Sequence, residues 1–520
     1  MVILVDDLGF SDIGVYGSEI DTPNLNRLAK SGVRFQQFYN TARCWPTRAA
    51  LLTGYYAQQV RRDSVEGIPS GAQAKRPSWA KLLPERLKKH GYRSYHSGKW
   101  HVDGSPLAGG FDHSYSLQDH DRHFNPKNHT LDDKPLPAVQ EGSDYYSSTA
   151  IAQYAIDQLT DHQKSFPDEP FFSFIAFTAP HFPLHAPQPV IDRYRSKYQE
   201  GWDAVRARRW ESMKEFGIAT RPSSVERSLG PPYAFPDAMK KLGAGELNHP
   251  KPWDELSDEQ KRFQIDKMAV HAAMIDCMDH EVGRIIDWLT QNKKLDNTLI
   301  LFLSDNGASA EIMVRGDGHD PQVPAGSPAT FLSLGPGWST VSNTPFRRHK
   351  TWVHEGGIST PMIAHWPANI KPNPVAIATP HHVIDIAPTL LELASRNHSA
   401  LGSAKEKVEW SGPVPAGQSF AAELEYALNP GDVDSKPRES TTTERVLWWQ
   451  HEGNKALRWG NWKIVAAGNN APWELYDMGS DRVESNDRAA MHPEIVEKLA
   501  AKWEQIRTEN AAIAKSDGAN

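Results

Sequence analysis

Val2-Ile3-Leu4-Val5-Asp6-Asp7 sets a short apolar run directly against two carboxylates near the start of the chain. An apolar run of this length, with β-branched residues and no polar alternation, reads as a strand buried on both faces, the kind found in parallel sheets. Residues 171–177 and 298–303 repeat the pattern, and the second of these runs into Ser304-Asp305-Asn306. Apolar residues three and four apart predict helices over residues 23–31, 79–90, 145–162 and 264–291. Strands alternating with such helices define an α/β layer fold, with one large, mixed and mostly parallel sheet between helices.

At 520 residues the chain exceeds what one core usually holds, so a second, smaller unit is expected. After residues 384–393 the composition turns to Gly, Ser, Pro and Asn, which places a large α/β domain at 1–400 and a smaller α+β subdomain at 401–520. In the latter, Val446-Leu447-Trp448-Trp449, Ala456-Leu457-Arg458-Trp459 and Trp462-Lys463-Ile464-Val465 read as an antiparallel sheet. Its turns are expected at Gly453-Asn454 and Gly460-Asn461, and a terminal helix over 493–510 covers it. Residues 193–252 lack clear periodicity but hold Trp202, Trp210, Phe216 and Tyr233, and read as elaborated loops with short helices that either help wall a pocket or cover the surface.

Lys and Arg number 57 against 64 Asp and Glu, a net charge of -7, which leaves no nucleic-acid footprint. No apolar run approaches the roughly 20 residues that cross a bilayer, so no membrane span is expected. The oligomeric state leaves no mark in the sequence. Of the two cysteines, Cys277 reads as helix packing, and chemical use of Cys44 would exclude an intramolecular disulfide. The run from Met1 enters a core strand with no charged segment or cleavage site before it. Export to a periplasm or the medium is expected if the natural start lies upstream, and a cytoplasmic place if Met1 is that start.

Two buried strands thus deliver Asp6, Asp7, Asp305 and Asn306 to the carboxyl edge of one sheet, where ligands gather in such folds. An all-oxygen donor set describes a hard cation, calcium before magnesium. A dinuclear zinc centre would need histidines beside these carboxylates, and none is adjacent in the sequence. Lys99 and His101, two apart after an apolar stretch, would point to one side of an extended chain. His181 follows the strand at 171–177, where a general acid is expected, and His185 is its rival. The segment from Asn343 to Gly357 adds Lys350 among basic residues and a glycine turn.

Cys44-Trp45-Pro46-Thr47-Arg48-Ala49-Ala50-Leu51-Leu52-Thr53-Gly54 is the most specific motif. Pro46 suits the first helical position, which would set Cys44 just ahead of a helix N-terminus, facing an anion. This thiol-x-Pro-x-Arg pattern matches the consensus at which a cysteine is oxidised to formylglycine.

With Asp6-Asp7-Leu8-Gly9, Gly98-Lys99-Trp100-His101, Ala179-Pro180-His181, Ser304-Asp305-Asn306-Gly307, Lys350 to Gly357 and Glu474-Leu475-Tyr476-Asp477-Met478, the chain resembles the type I sulfatases of the alkaline-phosphatase superfamily, the bacterial arylsulfatase-like enzymes above all. The resemblance covers nearly the whole chain. It implies one calcium ion held by Asp6, Asp7, Asp305, Asn306 and the modified Cys44, with Arg48, Lys99 and Lys350 gathering negative charge. It further implies a formylglycine-generating enzyme as maturation partner, a sulfated small molecule or saccharide as substrate, His181 (with Lys350) as acid and His101 as base. Phosphoester or phosphonate-ester hydrolysis at the same site, or a catalytically silent calcium-binding protein, are the alternative readings.

Overall fold

The computed structural model describes residues 1–233, 235–370, 376–396, 409–426 and 445–516. Val2–Val5 lies inside a ten-stranded sheet, between Phe171–Ala176 and Ile300–Ser304 and parallel to both. Val2 pairs with Phe174 on one side and Leu301 on the other, so the three apolar runs share one register. Beyond Phe171–Ala176 the sheet continues in parallel through Arg93–Gly98 and His113–Leu117. Beyond Ile300–Ser304 it turns antiparallel at Met362–His365, which also pairs antiparallel with Val33–Phe35. The mixed, mostly parallel sheet is the one the sequence predicts.

Successive residues of Val2–Val5 enter different cores. Ile3 and Val5 join Ile175 and Phe302 beneath the helices Pro23–Lys30, Ser147–Ser165 and Asp258–Gln291. Val2 and Leu4 join Phe174 and Leu301 on the other face. All four are fully buried, each worth about 1.5–3 kcal/mol of transfer free energy. That double burial explains why the run carries no polar alternation.

The C-terminal sheet is four-stranded and antiparallel: Val446–His451, Asn454–Trp459, Trp462–Ala466 and Glu474–Asp477. Its first turn is Glu452-Gly453, both at positive φ, one residue before the predicted position, because His451 pairs with Asn454. Pro493–Lys515 covers it, five residues longer than expected. Trp448, Leu457, Ile464 and Trp503 share a core with Val2 and Leu4, so this sheet is packed against the large one. The expected boundary at 400/401 lies outside the described residues.

Three helical expectations are corrected. The helix predicted over 79–90 begins only at Leu83, because Pro84 belongs in a first turn and would break a helix interior. The long helix begins at Asp258, six residues early, where Ser257 and Gln260 form a reciprocal capping box. The region at 193–252 holds short helices as expected, but one of them, Gly201–Met213, runs to 13 residues, with Arg209 buried against Asp12 and Glu19. Among the described residues no helix is long and apolar enough to cross a membrane.

Candidate active site

Asp6 and Asp7 leave the central strand together, and Asp7 takes φ 65°, a left-handed conformation that Asp tolerates better than most residues. Asp305 and Asn306 leave the neighbouring parallel strand at the same edge. Gly307 must be glycine, since a Cβ there would stand 1.9 Å from the Gly356 carbonyl oxygen. That close approach brings the segment carrying Lys350 against the two acidic strand ends. Lys350 Nζ lies 2.7 Å from Asp7 Oδ1, and Asn306 Nδ2 donates to the same oxygen at 2.6 Å.

Cys44 is the first residue of the helix Cys44–Thr53, not the residue ahead of it, and Pro46 is the third. The first-turn amides have no intrahelical acceptor, so Pro46 costs no bond there. Arg48 turns inward, with Nη2 2.8 Å and Nε 3.0 Å from Asp305 Oδ2 and Nη2 3.8 Å from Asp6 Oδ2. It is wholly buried and engaged, and braces the acidic pair rather than facing the cleft. Lys99 donates to the same oxygen of Asp6.

Asp6 Oδ1, Asp305 Oδ1 and Asn306 Oδ1 are buried without any hydrogen-bond partner. Orphaned oxygens of this kind are costly. Three of them from two adjacent strand ends fit a hard cation. Asp7, by contrast, has both oxygens engaged, by Lys350 and Asn306. Burial alone would raise Asp6, but Lys99, Arg48 and Lys350 hold it at about 2. Burial and the Asp6 charge push Asp305 up to about 7 against Arg48. Burial likewise raises the Cys44 thiol, with Asp6 and Asp305 reinforcing it against Lys99 and Lys350, so the unmodified side chain is a neutral thiol.

His101 reaches the cleft from beyond the strand Arg93–Gly98 through a left-handed turn, φ 55°, rather than along an extended chain. Burial, then Lys99 and His120, hold it well below the usual imidazole range, and its Nδ1 has no partner. His181 donates Nδ1–H to the Phe182 carbonyl, which leaves Nε2 as the acceptor, 3.8 Å from Asp7 Oδ2. Burial and the charges of Lys99 and Lys350 keep it neutral. His185 bonds the Thr330 carbonyl at 2.8 Å and packs on His123 and Phe124, whereas His181 is the one that faces Asp7.

Sequence reasoning missed three neighbours. His120 stands 5.2 Å from the His181 ring and 5.9 Å from His101. Glu311 bridges Lys350 at 3.2 Å and Arg43 at 3.1 Å. Arg43, directly before the Cys44 helix, lies over Trp45 and Tyr233. Tyr233 of 193–252 reaches this rim, whereas Trp202 packs in the core against Trp253 and Trp338. A cleft of about 470 Å³ lined by Lys99, Trp100, His101, Val102, Leu117 and His120 adjoins the site.

The sulfatase family profile matches residues 1–396. An uncharacterised sulfatase of Schizosaccharomyces pombe is 33% identical, covering 99% of this chain and 94% of that protein. An arylsulfatase of Klebsiella aerogenes is 32% identical over 76% of this chain and 86% of its own length. Among solved structures, a protein in complex with its substrate D-glucosamine-2-N,6-O-disulfate superposes with a TM-score of 0.62 at 19% identity, over 99% of both chains. A phosphonate monoester hydrolase from Silicibacter pomeroyi shares the fold more distantly, TM-score 0.57 at 17% identity over 98% of this chain and 95% of that one. With its acidic strand ends, its helix-borne Cys44 and its alkaline-phosphatase-like sheet, the chain belongs to the sulfatase family and is a sulfuric ester hydrolase.

Proposed function

We propose that this chain hydrolyses sulfate monoesters of aryl or sugar alcohols with an oxidised Cys44 and one calcium ion. The observation that carries this reading is the set of three partnerless buried oxygens on Asp6, Asp305 and Asn306 beside a neutral, helix-borne Cys44. Calcium held by these residues, by Asp7 once Lys350 yields an oxygen, and by position 44, would supply positive charge to a reacting sulfate. Formylglycine at position 44 would supply a hydrated aldehyde whose hydroxyl is the nucleophile toward sulfur.

The remaining steps belong to the chain's own side chains. Lys350 stays protonated, since Asp7 and Glu311 outweigh its burial, and with Lys99 it offers two fixed cations to the sulfate oxygens. The arriving ester's negative charge offsets those cations, which raises the proton affinity of His181. Its Nε2, the atom left free by the Phe182 carbonyl, is the one that passes a proton to the leaving oxygen. A positioned acid of this kind is worth about 10²- to 10⁴-fold in rate. His101 is neutral with an unpartnered nitrogen, the state required to accept a proton from the hydroxyl at position 44. The alcohol portion occupies the cleft beside Trp100 and His120.

The test is a substrate panel at fixed pH: an aryl sulfate, sulfated monosaccharides, an aryl phosphate and an aryl phosphonate, with Cys44→Ala as control. Turnover of sulfates that disappears in Cys44→Ala while thermal stability persists is the expected result. Preference for the phosphonate, or activity retained without Cys44, would refute the reading.

A further inference from the structure

We propose that His120, Asp121 and His181 form a second metal site, selective for zinc or a similar transition-metal ion, whose occupation shuts the enzyme off. One donor atom from each of the three lies within 4.8 Å of the others. The two imidazole rings meet edge to face with centroids 5.2 Å apart.

The tautomers suit ligation. His120 Nδ1 contacts the Gln118 carbonyl at 3.2 Å and His181 Nδ1 contacts that of Phe182. Both backbone oxygens fix the proton on Nδ1, so both Nε2 lone pairs are free. A carbonyl on the far nitrogen is the usual outer support of a metal-bound histidine. His120 Nε2 makes no hydrogen bond among the described residues; its nearest ionic neighbour is Asp121 Oδ1 at 3.8 Å. Arg315 holds both oxygens of Asp121, Nη2 donating to Oδ1 at 2.7 Å and Nε to Oδ2, so the carboxylate would ligate through a remaining lone pair while the guanidinium fixes its orientation. His120 and Asp121 are half-buried, which leaves an entry path, while His181 forms the buried wall.

Donor chemistry sorts ions between this site and its neighbour. The orphaned oxygens of Asp6, Asp305 and Asn306 favour calcium, which prefers oxygen ligands. Two imidazoles and a carboxylate favour zinc, which takes nitrogen readily and closes a tetrahedron with one water. Zinc on His181 Nε2 occupies the lone pair that carries the leaving-group proton. The loss of turnover rests on that role of His181 in the proposed mechanism; the binding does not.

The experiment is titration of the calcium-saturated protein with zinc, followed by calorimetry, metal analysis and zinc-edge X-ray absorption, on the parent and on His120→Gln. The expected result is one added zinc per chain with calcium retained and imidazole nitrogens at about 2.0–2.1 Å. Affinity and inhibition should both weaken on the order of tenfold or more in His120→Gln. Zinc that displaces calcium one for one, binds both proteins equally, or fails to bind would overturn the proposal. Zinc bound at this site with turnover undiminished would overturn its inhibitory role and the assignment of His181. Inactivity of the zinc-free protein on every sulfate ester would count against the Cys44 reading and leave the binding result standing.

Discussion

At the proposed calcium site, lowering the pH should loosen the ion, because one of its carboxylates takes up a proton near neutrality. Asp305 is wholly buried, and burial with the Asp6 charge pushes its carboxyl up to about 7. Calcium takes the ionised form, so binding at pH 7 should expel about half a proton, rising to about nine tenths at pH 6 and falling to about one tenth at pH 8. Between pH 8 and pH 6 the affinity should fall about tenfold. Stability without calcium follows the same group with a definite sign. The folded carboxyl binds its proton more tightly than the unfolded one, whose pKa is 3.8, so native stability falls as pH rises from about 4 to about 7. The loss is on the order of a few kcal/mol, and bound calcium would offset it. Calorimetry at pH 6, 7 and 8 in two buffers of different ionisation heat measures the released protons, and thermal melts should show calcium protecting more at pH 8 than at pH 6. Proton release near zero across this window, or affinity that rises on acidification, would refute the electrostatic account of the cage.

His181→Ala should slow esters of poorly acidic alcohols by about 10²- to 10⁴-fold and spare activated aryl sulfates, measured as a leaving-group dependence of kcat/KM; equal losses would mean that His181 is not the acid. Lys463→Met should cost about 3–5 kcal/mol in denaturant unfolding, because it strips the partner from buried Glu355 and Glu484, both 2.8 Å from its ammonium. An unchanged unfolding midpoint would show that this bridge between the C-terminal sheet and the helix Glu355–Ile358 carries no weight.

How much of this was legible depended on whether the controlling interaction was local. The central strand was readable because all four of its residues are buried, which leaves no room for a polar side chain. The acids after it were readable because an abrupt polar end to a buried strand marks a sheet edge. The length of Gly201–Met213 is not legible because Arg209 is neutralised by Asp12 and Glu19, nearly 200 positions away, so its buried face does not look apolar. Ser257 and Pro84 are local marks of the two helix starts.

The same division runs through the site. Cys44, Arg48 and the strand-end acids announce themselves by motif and spacing. His120 carries no such mark: it lies just past the strand His113–Leu117 and gains its place only when that strand pairs beside Arg93–Gly98. Glu311 acquires meaning only through Lys350 and Arg43, which arrive from opposite ends of the family-matched region. His185 shows the converse. Four residues from His181, it packs on His123 and Phe124 instead of facing Asp7.

The most direct measurement is the mass of the proteolytic peptide carrying Cys44, taken from protein made together with a formylglycine-generating enzyme. The account predicts an aldehyde in place of the thiol, present in proportion to sulfatase activity across preparations. A plain cysteine in protein that still turns over sulfate esters would contradict it.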